Sequence, residues 1–394
     1  MSETTTVQTI DHFELESWLK MLYDNREIAG FIHGTTGIGK SDVITETSKD
    51  IAERFDDREF VKWDALTDTQ KDTVIENAED YFILCDTRLS DMDASDIKGI
   101  PLLEGDYADW KPPKWSAPFS QDNAAGVLFL DEFNLGNELV QSSFYQVVLD
   151  RRASAERFSD DVLILGAGNM EGDRASIHEM PGPLRNRFVH VELERPSPDD
   201  WAEWAIENDI DPRIIDYLSG AGIGHNDLFT FDENKDAYAF ATPRTWEFAS
   251  ELIEDKSLEE HKENFELAIK SAVGNGVGQK FISFLETQSN LDIHKYIENP
   301  EKAANLDEEL NDWSESHALI SALASHCREN PNDLEKVIKV TYHIEEDELQ
   351  ALQLKLLDRY LGEKLGMLLN ANDGEMSMPL NHLMDIIPKP DKTA

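Results

Sequence analysis

The ten residues from Ile32 to Ser41 read IHGTTGIGKS and place a glycine-rich turn between an apolar run and an amphipathic one. They match the Gly-x4-Gly-Lys-Ser pattern of a phosphate-binding loop. Glycines let backbone N–H groups turn inward on a phosphate, and the helix that follows adds its positive end. The stretch therefore predicts a strand, a phosphate loop and a helix in succession, with Lys40 reaching the β- and γ-phosphates and Ser41 binding magnesium.

Short apolar runs alternate with amphipathic stretches up to about residue 195. The runs are rich in β-branched and aromatic residues and are bounded by turn formers, which predicts buried strands. They are residues 29–34, 59–66, 81–87, 126–133, 161–169 and 188–194. Residues 41–55 and 137–152 carry apolar side chains at helical spacing instead. The alternation predicts an α/β fold with a parallel sheet and helices on both faces.

Two parts of the chain depart from this alternation. Residues 91–118 keep neither a helical nor a strand period and contain four Pro, two Gly and two Trp, which predicts a long insertion or loop. After Pro196 the strand pattern disappears, and Ser, Asp or Thr residues mark the starts of helices. We therefore expect an αβα nucleotide-binding domain over residues 1–195, a second, all-helical part over 196–290, and a helical extension over 291–394.

The charge of the chain is unusual. It has 80 Asp and Glu against 36 Lys and Arg, a formal net charge of -44 that is spread over 394 residues. Eight Trp and 18 Phe argue against a disordered acidic chain. Two interpretations remain: an ordinary acidic protein, or one adapted to high salt, where screening cancels the self-repulsion; we favour the second. Either way, nucleic acid is disfavoured as the principal partner because its phosphates are repelled on average.

Other features of the composition narrow the setting. Cys85 and Cys327 lie far apart and outside any C-x-x-C pattern, so we expect two buried free thiols. The 11 histidines show no zinc-binding spacing. The start, MSETTTVQTIDHFELE, lacks a basic and an apolar region, and no apolar run approaches about 18 residues. We expect a cytoplasmic protein without a membrane segment.

A second motif follows about 90 residues after the loop. The run GVLFLDE from Gly126 to Glu132 is an apolar strand that ends in two acids, the form of a Walker B strand. Asp131 would hold magnesium through water, and Glu132 would polarise the attacking water as a general base. The alternative is that the two acids merely cap a strand of an acid-rich chain. The predicted nucleotide-binding residues are Gly34, Thr35, Thr36, Gly37, Ile38, Gly39, Lys40, Ser41 and Asp131, and Ser41 and Asp131 are the predicted magnesium ligands.

Three further polar side chains complete the candidate site. Asn169 ends the strand 161–169 and could orient the same water, although Asn at a strand end is often only a turn former. Arg187 is a candidate finger acting on a neighbouring subunit, and Arg244 is a candidate sensor from the helical part. Ion pairing with surface acids is the alternative for both. Arg185 is the reserve for the finger, and residues 151–152 could also face a subunit junction.

The motifs GTTGIGKS, VLFLDEFN, GAGN, PLRNRF and ATPRTWEF, in this order, resemble those of AAA+ ATPases of the MoxR type. The resemblance covers about residues 10–255 and is specific through residue 195. It implies a P-loop AAA+ αβα core, a helical lid over 196–290, and a hexameric ring with ATP at each junction. It also implies that Asn169 is sensor 1, that Arg187 is the finger of the neighbouring subunit, and that Arg244 is sensor 2.

The resemblance further implies chaperone-like remodelling of a protein client, often with a partner that bears a metal-binding von Willebrand factor type A domain. The 91–118 insertion would face the axis of the ring, where Trp110, Lys111 and Trp115 would grip a client; alternatively, the two Trp pack on the domain surface. The chain departs from the family pattern in two places. The sequence Arg-Asn-Arg-Phe leaves two finger candidates, and the hairpin before sensor 1 is short at ASAERFSDD.

Three functions fit these motifs: an ATP-driven remodeller of a protein client, a nucleotide-gated binding or scaffold protein with incidental turnover, and a nucleic-acid motor. The overall acidity and the lack of a basic cluster argue against the motor. Glu132 argues against the passive scaffold, because a base at this position favours hydrolysis.

Overall fold

The computed structural model describes residues 7–104, 107–170, 177–219, 224–230, 238–305, 310 and 313–370. The chain divides into two compact units, one up to Pro196 and one from Ser197 onward. We call them the first unit and the second unit and describe each by itself.

The first unit is built on a parallel β-sheet. The strands of this unit are β1 (Gln8–Ile10), β2 (Ala29–His33), β3 (Glu59–Lys62), β4 (Tyr81–Arg88), β5 (Ile100–Glu104), β6 (Tyr107–Lys111), β7 (Ala125–Asp131), β8 (Arg152–Ala153), β9 (Glu156–Arg157), β10 (Asp161–Gly168) and β11 (Phe188–Leu193). Seven of them form one sheet in the order β1-β11-β2-β10-β7-β4-β3, with every pair parallel. Each of the six predicted apolar runs contributes a strand to this sheet, but the run 59–66 does so only as far as Lys62, because residues 63–65 form a short 3-10 helix. β1 is a strand that the sequence did not predict.

The register of the sheet decides which residues meet. Gly168 of β10 pairs with His33 of β2, so the residue after β10 lies beside the loop that follows β2. On the other side of β10, Gly166 pairs with Leu130 of β7. Because the carboxyl ends of parallel strands share one edge of a sheet, the phosphate loop and the ends of β10 and β7 lie together there.

Helices flank this sheet. The helices of the first unit are α1 (His12–Asp24), α2 (Lys40–Ala52), α3 (Asp68–Glu76), α4 (Ala94–Lys98), α5 (Glu138–Ser143), α6 (Tyr145–Asp150) and α7 (Gly182–Arg185). The helix predicted over 137–152 is thus two short helices that meet at Phe144. Phe31 of β2 lies at the centre of an aromatic core, with ring centroids 5.7 Å from Phe133 and 5.3 Å from Phe188. Aromatic packing of this kind fixes the strands that carry the candidate site.

Residues 91–118 were predicted to form a long insertion or a loop, and the loop is the part of this prediction that is wrong. The segment contains α4 and a hairpin in which β5 pairs with β6 in antiparallel register. Gly99, just before β5, has a φ of 82°, and a Cβ there would lie 2.1 Å from the carbonyl oxygen of Lys111 at the end of β6. Glycine is therefore required at this position. A half-buried strand is recognised by apolar residues at every second position. In β5 apolar residues stand at consecutive positions and are exposed, Leu103 to 87%, so the sequence does not show that pattern.

The second unit is helical over its described residues, as predicted, and none of them forms a strand. Its helices are α8 (Pro198–Glu207), α9 (Pro212–Leu218), α10 (Pro243–Ile253), α11 (Lys262–Val273), α12 (Asn275–Asn290), α13 (Ile293–Glu298), α14 (Trp313–Glu329), α15 (Leu334–His343) and α16 (Asp347–Asn370). α8 to α12 pack around Trp246 and Tyr217, whereas α13 to α16 enclose a separate apolar cluster. These two clusters agree with a lid over 196–290 and an extension over 291–394, a division that we keep as a prediction.

A buried polar contact joins α9 and α16 of the second unit. Asp216 of α9 accepts a hydrogen bond of 2.5 Å from the hydroxyl of Tyr360 in α16. Burial raises the pKa of Asp216 to about 6, and the Tyr360 bond opposes that rise. The contact therefore ties α16 to α9.

Two expectations about the chain are testable on the described residues. Cys85 and Cys327 are free and buried, as predicted. Within the described part of the chain, no helix combines the length and the apolar content needed to cross a bilayer.

The acidic excess gives a first prediction. With a formal net charge of -44, like charges repel across the surface in dilute buffer, whereas molar salt shortens the screening length to about 3 Å. We therefore expect the thermal unfolding midpoint to rise by at least about 10 °C between roughly 0.1 M and 2 M KCl. Scanning fluorimetry over parallel KCl and NaCl series measures the shift. A midpoint that is independent of salt, or highest in dilute buffer, would rule out salt adaptation.

Candidate functional site

The loop between β2 and α2 has the backbone shape that its glycines predict. Gly37 and Gly39 have φ values of 81° and 93°, which other residues rarely adopt. The Lys40 ammonium donates hydrogen bonds to the carbonyl oxygens of Gly34 at 2.6 Å and Thr35 at 2.9 Å. The ammonium of Lys40 thus lies against the first residues of the loop. Lys40 is also at the N-terminus of α2, where a bound anion is stabilised.

The two predicted magnesium ligands lie next to each other. The hydroxyl of Ser41 in the first turn of α2 donates to a carboxylate oxygen of Asp131, at the end of β7, over 3.3 Å. The other carboxylate oxygen of Asp131 accepts the backbone N–H of Glu132 at 2.7 Å. Hydroxyl and carboxylate oxygens are the ligands that Mg²⁺ prefers, so the residues present fit this ion.

Glu132 has an unusual backbone conformation. Its φ of 50° and ψ of 35° are left-handed, which costs a non-glycine residue on the order of 1 kcal/mol and is found most often at functional sites. Its carboxylate accepts a hydrogen bond of 2.5 Å from the hydroxyl of Ser90. The backbone turn and this hydroxyl together fix the direction of the Glu132 side chain. Ser90 was not predicted as a site residue, since the sequence alone does not show that it lies beside Glu132.

The contact between Ser90 and Glu132 gives a second prediction. We expect Ser90→Ala to lower the kcat of ATP hydrolysis by roughly fivefold, because it removes about 1 kcal/mol of orienting hydrogen bond, and to leave ATP affinity unchanged. Steady-state kinetics and calorimetric binding measure the two quantities. Ser90→Thr keeps the hydroxyl and is the matched control. Unchanged or faster hydrolysis by Ser90→Ala would show that this bond does not help Glu132.

Asn169 lies beside the phosphate loop. Its side-chain oxygen accepts a hydrogen bond of 3.1 Å from the hydroxyl of Thr36. Its backbone is held by Asn134, whose amide accepts the N–H of Asn169 at 3.0 Å and donates to its carbonyl at 2.7 Å. Asn134 follows the two acids in the sequence DEFN, but its spacing did not indicate this role. Asn134 thus links the turn after β7 to the end of β10.

A third carboxylate near this edge was also missed. Asp86 lies in β4, beside β7, and burial together with the charges of Asp131 and Asp64 raises its pKa to about 7. One of its carboxylate oxygens is buried and has no hydrogen-bond partner among the described residues. A carboxyl with a raised pKa is often part of a functional site. The only signal in the sequence was an acid at the end of the apolar run YFILC.

The two finger candidates differ in their contacts. Arg187 and Arg185 are both exposed, beside α7 and within it. The guanidinium of Arg185 forms an ion pair of 3.5 Å with Glu179, whereas the guanidinium of Arg187 makes no ion pair or hydrogen bond with the described residues. Only the backbone N–H of Arg187 is bonded, to the carbonyl of Leu184 at 2.9 Å. Both guanidinium groups are therefore exposed, and that of Arg187 is the one without a side-chain partner among the described residues.

The prediction for Arg151 is wrong, because this residue is buried and structural. Its guanidinium donates to the backbone carbonyls of Arg26 at 2.7 Å and Ser159 at 3.2 Å, and also to that of Val162. Arg151 therefore does not face a subunit junction. Arg152 is half-buried in β8, part of a hairpin with two residues in each strand, as short as the sequence indicated.

Trp115 does not fit the predicted role of gripping a client. Its ring packs 6.2 Å from Phe144 and 6.4 Å from Phe158, and its indole N–H donates to the carbonyl of Asp96 at 3.0 Å. Trp115 therefore belongs to the edge of the core. Trp110 and Lys111 lie on β6 and are exposed.

Arg244 lies in the second unit, at the start of α10, and is exposed. Thr242 caps this helix by accepting the N–H of Thr245 at 3.2 Å. The helix start therefore presents Arg244 outward from its own unit, and its role toward a nucleotide stays a prediction.

No protein-family model matches the chain, and no curated protein matches its sequence. Solved structures match the chain at low identity and low TM-score. The Aeropyrum pernix ORC2 protein in its ADP form matches with 13% identity over 88% of this chain and 93% of that one, at a TM-score of 0.37. A mutant of Thermotoga maritima RuvB matches with 14% identity over 76% of each chain, at 0.35, and C. elegans PCH-2 with 12% identity over 71% and 70%, at 0.29.

Likeness at this level identifies neither a reaction nor a client, because one fold serves many functions. The architecture itself is plain. A parallel sheet with helices around it, a phosphate loop after β2 and a helical part after residue 196 make up the α/β P-loop fold that the sequence predicted. The assignment of this fold to the AAA+ group stays a prediction.

Proposed function

We propose that this protein is a magnesium-dependent ATPase. The observation that carries the proposal is the meeting of four groups at one edge of the sheet: the Lys40 ammonium, the contact between Ser41 and Asp131, the carboxylate of Glu132 and the amide of Asn169. Charge neutralisation, metal binding, a base and a water-orienting amide are the parts that phosphoryl transfer needs.

Each residue has a separate task in this proposal. Lys40 would bind the β- and γ-phosphates, and Ser41 and Asp131 would hold magnesium directly and through water. When bound, magnesium supplies positive charge to the phosphate oxygens. Glu132 would take a proton from the attacking water, and the Asn169 amide would orient that water. Ser90 would keep the Glu132 carboxylate pointed toward this position.

We further propose a ring of MoxR type, hexameric, in which Arg187 completes the site of the neighbouring subunit. The exposure of Arg187 and the lack of a partner for its guanidinium among the described residues support this, since a finger must be available to another chain. Arg244 would close on the nucleotide from the helical lid. ATP binding and hydrolysis would then be coupled to motion of the lid.

A protein client fits the described surface better than nucleic acid does. The hairpin β5–β6 exposes apolar side chains, with Ile100 67% and Leu103 87% exposed. Exposed apolar groups of this kind favour contact with protein. A net charge of -44 opposes binding to phosphate backbones. We therefore propose remodelling of a protein client, with a von Willebrand factor type A domain as the kind of partner to look for, over a passive scaffold or a DNA motor.

The experiment is a hydrolysis assay of the purified chain in molar KCl. We expect ATP turnover that requires Mg²⁺, stops with EDTA, is lost in Lys40→Ala and is not stimulated by single- or double-stranded DNA. The Glu132→Gln chain, charged with ATP, should retain a client protein that the Lys40→Ala chain does not. Absence of turnover would favour the scaffold, and strong stimulation by DNA would favour the motor.

A further inference from the structure

A histidine outside the loop motif contacts the backbone of the phosphate loop. His12, the first residue of α1, lies 2.6 Å through its Nε2 from the backbone carbonyl oxygen of Ile38. A carbonyl oxygen only accepts, so Nε2 carries the proton and donates it. The ring is half-buried and lies against Gly39, where a Cβ would stand 3.6 Å from Nε2. The contact joins residues that are 26 positions apart.

The direction of the His12 hydrogen bond determines where the backbone N–H of Gly39 points. Ile38 and Gly39 share one peptide unit, which is trans like every described peptide bond. In a planar trans peptide the C=O and the N–H point in opposite directions. Because the carbonyl of Ile38 points at His12, the N–H of Gly39 points away from His12, and it makes no hydrogen bond with the described residues. This N–H is one of the donors that a loop of this kind offers to a phosphate.

The helix that carries His12 is held in place at its N-terminus and along its length. The N-terminus of α1 is closed by a reciprocal capping box, in which Asp11 accepts the N–H of Glu14 at 2.7 Å and Glu14 accepts that of Asp11 at 3.1 Å. Further along the helix, Leu22 and Trp18 pack onto Gly30 of β2 so closely that a Cβ there would lie 2.5 Å and 2.8 Å from them.

α1 is also tied to the helix that leaves the loop. Lys20 of α1 forms an ion pair of 2.9 Å with Asp50 of α2. The helix that carries His12 is thus anchored to both elements that bracket the loop, the strand before it and the helix after it. A donor mounted in this way can hold a peptide unit of the loop in one orientation.

We infer that His12 is a positioning residue that aims the Gly39 amide at the phosphates of the bound nucleotide. The inference rests on the proposed function and adds to it a residue that the loop motif does not contain. Glycine at position 39, with its φ of 93°, leaves this peptide free to rotate, and the His12 bond removes that freedom. The amide acts on the nucleotide before and during hydrolysis, so His12 serves binding of the phosphates rather than the chemical step.

The test compares His12→Ala with His12→Gln, whose amide Nε2–H replaces the donated proton at similar reach. We expect His12→Ala to bind Mg-ATP and Mg-ADP about tenfold more weakly, the size of one lost hydrogen bond, with kcat at saturating ATP within about threefold of wild type. His12→Gln should bind within about threefold of wild type. Calorimetry gives the affinities, and steady-state kinetics separate KM from kcat.

The control is Phe13→Ala, which removes an exposed side chain from the next position of the same helix and should bind as wild type does. The unfolding midpoint without nucleotide should be alike in all four chains, whereas the rise caused by saturating nucleotide should be smaller for His12→Ala alone. Equal affinity of His12→Ala and wild type would overturn the inference, as would weak binding by His12→Gln. A wild-type chain that binds no ATP would instead overturn the proposed function itself.

Discussion

Replacing Glu132 by Gln is expected to leave ATP bound and to lower its hydrolysis by a factor on the order of 100 to 1,000. Glutamine has the same size as glutamate and can still accept the hydrogen bond from Ser90, but it cannot take a proton from water. The left-handed backbone at position 132 is unchanged by this substitution. Calorimetric affinity and single-turnover hydrolysis measure binding and chemistry separately.

Asp86→Asn is the matched control for this experiment. Asp86 is a second candidate for the base, because burial and the charge of Asp131 raise the pKa of Asp86 to about 7. If Glu132 is the base, Asp86→Asn should keep most of the turnover. Normal hydrolysis by Glu132→Gln together with loss in Asp86→Asn would transfer the role of base to Asp86.

The parts of the site that the sequence predicted are those whose spacing is local. The loop Gly34 to Ser41 is a single stretch whose glycine positions determine its backbone, and Asp131 and Glu132 end one apolar run. The strands around them are buried on both faces, so their apolar runs are continuous and easily detected. These features also led to the correct fold class.

The contacts that the sequence did not predict join residues far apart in the chain. Ser90 lies 42 positions from Glu132, and Asn134 lies 35 positions from Asn169, so only the strand order β10-β7-β4 brings them together. The error at Arg151 has a related cause. An arginine at the end of a helix is usually exposed, but this one donates to three backbone carbonyls in two separate segments.

The hairpin β5–β6 escaped prediction for a different reason. Its strands carry apolar side chains that are not buried, so neither alternation nor a continuous buried run marks them. Local rules that rest on burial fail where an apolar surface is kept exposed. Such a departure is itself a sign of a surface kept for contact with another molecule.

Loss of Arg187 should be at least as damaging as loss of Glu132, and a second, different mutant chain should restore activity. We expect Arg187→Ala to reduce turnover by about 1,000-fold, the usual effect of a missing finger. If the finger acts on the neighbouring subunit, some junctions of a mixed oligomer are active. In these junctions an Arg187→Ala chain binds ATP and its neighbour, a Lys40→Ala chain, supplies Arg187. Random mixing at equal amounts makes about a quarter of the junctions complete, so about a quarter of wild-type activity should return.

The matched control is Arg185→Ala, two positions away and also exposed but paired with Glu179 at 3.5 Å. It should keep turnover within about threefold, since surface ion pairs contribute little. Arg187→Lys, which keeps the charge but loses the planar fork, should remain strongly impaired. Two results would contradict the assignment: failure of the mixed chains to recover activity in an oligomer shown by mass spectrometry to contain both, or a loss in Arg185→Ala that exceeds the loss in Arg187→Ala.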